Sequence, residues 1–172
     1  MSGENAMLRA NKKHIMLLVI FFIGLISAGS AGECRFSCEL GCNKIGPKPA
    51  DTDAKGEITF QLDEKNQERI YKLEVREIKG VYMAHLHIGP SSKQGPIAVW
   101  LYPPRDNDTE ERCIEGEYNE TIAEGVIRPE DMKKGVTFNE LIEAMRHGNA
   151  YVNVHTKQFV PGEIRGQVHP GI

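Results

Sequence analysis

The sequence predicts an all-β domain, a sandwich or barrel of antiparallel strands with one short helix near 138–147. Two observations predict the strands: apolar and polar residues alternate with a period of two in several short stretches, and Gly and Pro punctuate the intervals. A third predicts the helix, because Thr137 and Glu140 have the spacing of a capping box just ahead of an apolar stripe.

Ile58, Phe60 and Leu62 alternate with Glu57, Thr59 and Gln61, and Tyr71, Leu73 and Val75 alternate with Lys72, Glu74 and Arg76. Residues two apart on a strand share a face, so each stretch has one face to bury. Further strands are expected at 81–88, 97–101, 151–155 and 163–168. Short strands separated by turn residues favour antiparallel sheets over an α/β arrangement. Leu141, Ile142 and Met145 give the helix its apolar stripe, and Gly148 stands where a C-terminal cap belongs. Pro129, Glu130 and Asp131 suit the opening of a further short turn. The stretch 103–125 is acidic and poor in apolar residues, so a long loop or ragged edge is expected there. It carries Cys113 and two glycosylation sequons, at Asn107 and Asn119.

The N-terminus reads as an export signal. Arg9, Lys12 and Lys13 precede the apolar run 15–26, and small residues follow at 27–31. The uncharged stretch 15–32 is at the length where a spanning helix becomes feasible, so residues 1–31 are either a signal peptide cleaved after about Ala31 or a retained N-terminal anchor. In the second case the basic flank stays in the cytoplasm and the domain lies outside, secreted or anchored being the two extracytoplasmic outcomes. Residues 32–50 are expected to be a Cys-containing linker, since Asn43 to Pro49 is rich in turn formers and lacks periodicity, and 51–170 the folded domain.

The net charge of −3 becomes more negative without the basic leader, which argues against nucleic acid as a partner. Cys34, Cys38 and Cys42 recur every four residues, and Cys113 stands far downstream. An even count in an oxidising compartment reads first as disulfides, with three pairings open, and Cys113 is expected to join one of the other three. A thiolate zinc site is the second reading.

The chemistry concentrates in three short stretches. His85 and His87 share a strand face, as do Tyr151, Asn153 and His155, and as do Glu163, Arg165 and Gln167, while Val152 and Val154 face the other way. If these strands are neighbours, the polar rows meet and bring three imidazoles near a carboxylate, a set that suits zinc or copper. The alternative is a structural hydrogen-bond network, with Glu163 or a backbone carbonyl holding His155, Arg165 bridging strands and Asn153 completing it. No nucleophile-base-acid arrangement, phosphate loop or paired-carboxylate motif is present, so no catalytic residue is expected.

Four motifs follow one another along the chain: Pro49-x-x-Thr52-x-Ala54-x-Gly56; Ala84-His85-Leu86-His87-Ile88-Gly89; Gly95-Pro96 before Ile97; and Tyr151-Val152-Asn153-Val154-His155-Thr156 followed by Gly162-Glu163-Ile164-Arg165-Gly166-Gln167. Together, over about 52–168, they resemble the CHRD domain first described in chordin. The departures are 34–48, which replaces the family's opening strand, and the acidic loop around Cys113. The resemblance implies an extracytoplasmic, immunoglobulin-like Greek-key domain more firmly than any activity. Chordin's role as an antagonist of growth-factor signalling does not transfer, because its cysteine-rich modules are missing here. The expected function is an exported or membrane-anchored, non-catalytic module with an extracytoplasmic protein or surface ligand as partner. The alternative is a zinc or copper redox or hydrolytic protein using His85, His87 and His155.

Overall fold

The computed structural model describes residues 34–45, 49–63, 66–103 and 114–171. Among them are β1 (Cys34–Cys42), β2 (Lys55–Asp63), β3 (Glu68–Arg76), β4 (Ile78–Ile88), β5 (Ile97–Tyr102), β6 (Ile114–Tyr118) and β7 (Thr121–Ile127). A 3-10 turn at Pro129–Asp131 and helix α1 (Phe138–Arg146) lead to β8 (Ala150–Thr156), β9 (Ile164–Gln167) and the short β10 (His169–Pro170). The strands pair in the order β5-β4-β8-β9-β1-β2-β3-β7, with β6 on β4 and β10 on β1, every pairing antiparallel. The sheet curls into a nearly closed barrel. The expected all-β architecture with one short helix is therefore present.

The six strands read from alternation are all found. Ile58, Phe60, Tyr71, Leu73, Leu86 and Val154 point into the barrel and are at most 4 % exposed. Helix α1 starts as its capping box dictates: the Thr137 hydroxyl accepts from Glu140 N at 3.2 Å, and the Glu140 carboxylate accepts from Thr137 N at 2.7 Å. It buries Phe138, Leu141, Ile142, Ala144 and Met145, and Gly148 follows it at φ +61, a conformation that costs glycine little.

Two segments differ from expectation. Residues 34–42, placed in a linker, form β1, which pairs with β2 over most of its length and with β9 at Gly41 and Cys42. Its buried row is Phe36, Cys38 and Leu40, so the period of two was present with a cysteine as one of its apolar members. The stretch 103–125, expected as a loop, contributes β6 and most of β7. Ile122 and Ile127 are the buried residues of β7, too sparse a row to register as alternation. Pairing with β3, across a bulge between Leu73 and Glu74, is what holds it extended.

No disulfide is present among the described residues: Cys34, Cys38 and Cys42 carry free thiols. Four residues of strand span about 13 Å, so successive members of this row cannot bridge to each other. Burial pushes the Cys38 thiol up to about 12, which leaves it unreactive. Cys113, the expected partner, lies outside the described residues, as do the leader 1–31 and the sequon at Asn107. Among the described residues no helix is long and apolar enough to cross a membrane.

Candidate metal centre

The strands that carry the polar rows are neighbours. β4 sends Ala84 and Leu86 into the barrel and Met83, His85 and His87 to its outer face. Across the β4–β8 ladder His85 stands opposite Asn153, His87 opposite Tyr151 and Met83 opposite His155. The next ladder sets Asn153 opposite Arg165 and Tyr151 opposite Gln167, and on the other side Trp100 of β5 stands opposite His85. Trp100, His85, Asn153 and Arg165 thus form one row across four strands.

Two connections cover this face and are fastened by the residues they cover. In the loop 89–96, Gly95 N donates to the Tyr151 hydroxyl at 2.8 Å, the Arg165 guanidinium donates to the Lys93 carbonyl, and the Gln167 carboxamide contacts Gly89 and Ser91. In the turn 157–162, Pro161 O accepts from Asn153 Nδ2 at 3.1 Å. His85, His87 and His155 are consequently only 3 %, 8 % and 9 % exposed.

Hydrogen bonding fixes two of the three tautomers. His87 Nδ1 lies 3.0 Å from the Gly95 carbonyl and His155 Nδ1 lies 2.8 Å from the Val160 carbonyl. A carbonyl only accepts, so each Nδ1 carries the proton and each Nε2 keeps its lone pair. His85 Nδ1 stands 3.2 Å from His155 Nε2, which Asn153 Nδ2 also approaches at 3.2 Å. His85 Nε2 and His87 Nε2 are buried with no hydrogen-bond partner among the described residues. Burial, aided by repulsion from His155, His87 and Lys133, lowers His85 to about 3, and burial lowers His87 to about 4 against the Gly95 bond that opposes it. His155 is lowered too, chiefly by burial. All three imidazoles are therefore neutral at pH 7, the state in which a histidine binds a metal.

The spacing of one pair already suits an ion, and the third imidazole has to close in by a side-chain adjustment to complete it. Potential ligand nitrogens of the three residues all lie within 4.8 Å of one another. Two nitrogens bound to a tetrahedral metal at about 2.0–2.1 Å stand about 3.3 Å apart, and His85 Nδ1 and His155 Nε2 are separated by 3.2 Å. Donation of the remote ring N–H to a backbone carbonyl is also how ligating histidines are oriented. A purely structural network explains the His85–His155 contact but leaves His87 Nε2 buried without a partner, at a desolvation cost of about 1–3 kcal/mol that a bound ion would remove; His85 Nε2 is unpartnered among the described residues in either reading, because His85 meets the cluster through Nδ1.

A model of the CHRD domain matches residues 36–168. The chain belongs to the CHRD family. No curated protein and no solved structure matches it. The CHRD match begins inside β1, so this strand is part of the domain, and every residue of the histidine face falls within it.

Within the CHRD domain the expected site residues are distributed unevenly. His85, His87, His155 and Asn153 come together, and Arg165 joins them by stacking over the Tyr151 ring at 3.8 Å, a ring that stacks in turn on His87 at 4.6 Å. Glu163 does not join them. Its carboxylate accepts from Thr52 Oγ1 at 2.7 Å and Thr156 Oγ1 at 2.6 Å, fastening the segment before β2 instead. Residue 163 precedes β9, next to Gly162 at φ +113, so alternation along β9 does not extend to it. Gly162 is itself required, because a Cβ there would collide with the Asn153 carboxamide. Trp100, edge-on to His85 at 4.3 Å, was not legible as a site residue, since it reaches this face through irregular β4–β5 register.

Proposed function

We propose that this chain is an extracytoplasmic, non-catalytic module that holds one zinc or copper ion on His85, His87 and His155. One observation carries the reading: three neutral, buried imidazoles with ligand nitrogens within 4.8 Å of one another, two of them with Nδ1–H committed to backbone carbonyls so that Nε2 is the nitrogen left to bind. An ion there would supply a link between β4 and β8. The protein's part is to keep the imidazoles deprotonated, orient them and exclude water with the two covering connections. That cover supports holding over turnover, because a substrate would have to displace it. Export is supported by the basic-apolar-small order of residues 1–31, and membrane attachment by the length of 15–32. The proposal includes the immunoglobulin-like Greek-key connectivity that the family resemblance implies, supported by the way β1 divides its pairing between β2 and β9.

Equilibrium dialysis against zinc followed by metal analysis tests the site. The chain should retain one equivalent, and His85→Ala, His87→Ala and His155→Ala should each lose it. Retention of none, or retention unchanged by all three substitutions, contradicts the reading. Fractionation of the native host tests location, and an intact chain soluble in the cytoplasm contradicts export.

A further inference from the structure

Resting on the proposed metal site, we infer that its ion is copper held as copper(I), with the Met83 thioether as the fourth donor. Three independent features of the site lead there. The first is charge. The three imidazoles are neutral donors, and the carboxylate the sequence places beside them, Glu163, is turned to Thr52 and Thr156. Among the described residues, two cations border the cluster: the Arg165 guanidinium over Tyr151, which stacks on His87, and Lys133 Nζ, 5.3 Å from the Trp100 ring that abuts His85. Repulsion between a fixed cation and a bound ion scales with the ion's charge, so this surround penalises a dication twice as much as a monocation.

The second feature is the donor opposite His155. Register on β4 and β8 shifts between Val81 and Met83, with Val81 opposite Thr156 and Met83 opposite His155. Tyr82 is the extra residue of this bulge. Val81 and Ala84 are fully buried in the barrel, whereas Tyr82 and Met83 are both half-buried, and the Tyr82 ring stands edge-on to His155 at 6.4 Å. Bulges re-aim side chains in this way. Directly opposed residues have Cβ atoms about 4.5–5.5 Å apart, within the compass of an unbranched thioether side chain.

The third feature is softness. Imidazole serves both zinc and copper, but a thioether discriminates in favour of copper(I). Three imidazoles and one methionine sulfur make a neutral four-donor set matched to a soft monocation. Burial under 89–96 and 157–162 adds to this, since a low-polarity site favours the lower ionic charge.

The test is an anaerobic titration of the full chain with copper(I) supplied in competition with a chromogenic copper(I) chelator, run beside a zinc titration, on the parent and on Met83→Leu and Lys133→Gln. The parent should take one copper(I), and its copper K-edge spectrum should contain a sulfur scatterer. Met83→Leu should lose that scatterer and weaken copper(I) binding about tenfold or more while leaving zinc binding unchanged. Lys133→Gln should strengthen zinc binding relative to copper(I). If the parent binds zinc but not copper(I), or if Met83→Leu binds copper(I) as the parent does with the sulfur signal retained, the inference falls and the metal site stands. If the parent binds neither ion, both fall.

Discussion

The two faces of β4 and β8 are built from alternate residues of the same strands, are both buried, and differ in kind. On the inner face Ala84, Leu86, Val152 and Val154 are 0 % exposed and pack against apolar neighbours as the sheet curls. On the outer face His85, Tyr151 and Asn153 are nearly as inaccessible, at 3 %, 1 % and 3 %. There the cover is two connections tied down by directed hydrogen bonds, and several ring and amide atoms lack partners among the described residues. Burial of apolar surface stabilises wherever it occurs, at about 25 cal/mol per Å², whereas burial of an unpartnered polar atom destabilises. The inner face holds the barrel together. The outer face is kept polar at a cost in stability, as a ligand site is.

Acid should separate the faces most widely. His85 and His87 are held at about 3 and about 4 in the folded state, against an ordinary value of 6.5. Below pH 6.5 the unfolded chain therefore takes up protons that the folded chain does not, so stability is complete above pH 6.5 and is lost as pH falls toward 4. Each histidine contributes a slope of about 1.4 kcal/mol per pH unit in that window. Urea unfolding of the metal-free protein across pH 7 to 4 should show the loss, and a double His85→Leu, His87→Leu variant should flatten it. An equally steep profile in the double variant would place the pH sensitivity elsewhere.

Leu86→Ala, one residue from either histidine, should cost about 2–5 kcal/mol by opening a cavity in the inner core. It should shift the whole stability curve without altering its pH slope or the metal content of the folded fraction. His85→Leu should do the reverse. Replacing a partly satisfied imidazole with an apolar side chain should change metal-free stability by less than about 1.5 kcal/mol, while abolishing metal retention. A loss as large as that of Leu86→Ala would make the outer face a structural network after all.

Alternation made the inner face legible in the sequence, because Ala84, Leu86, Val152 and Val154 obey it within single strands. It also assigned His85, His87, Asn153 and His155 to one face. Which strands lie side by side is a matter of long-range pairing, which no local pattern encodes, and the convergence of those rows follows only from the β4-β8-β9 order of the sheet. Local irregularities hid the rest. The β4–β5 ladder slips at Ala84/His85 and Leu86/His87, which brings Trp100 opposite His85. The β4–β8 bulge brings Tyr82 and Met83 to the histidine face. A period of two extended back beyond the start of β9 puts Glu163 on the histidine face, where its carboxylate does not lie. β1 is hidden in the sequence because Cys38, one of its three buried residues, reads equally well as half of a disulfide.

X-ray absorption at the zinc edge, on protein loaded with one equivalent of zinc, tests the metal centre most directly. Three imidazole nitrogens at about 2.0–2.1 Å, with the outer-shell scattering of intact rings, are the predicted result, reduced in number when His87 is replaced by Ala. An oxygen-dominated shell with no ring scattering, unchanged in that variant, would contradict it.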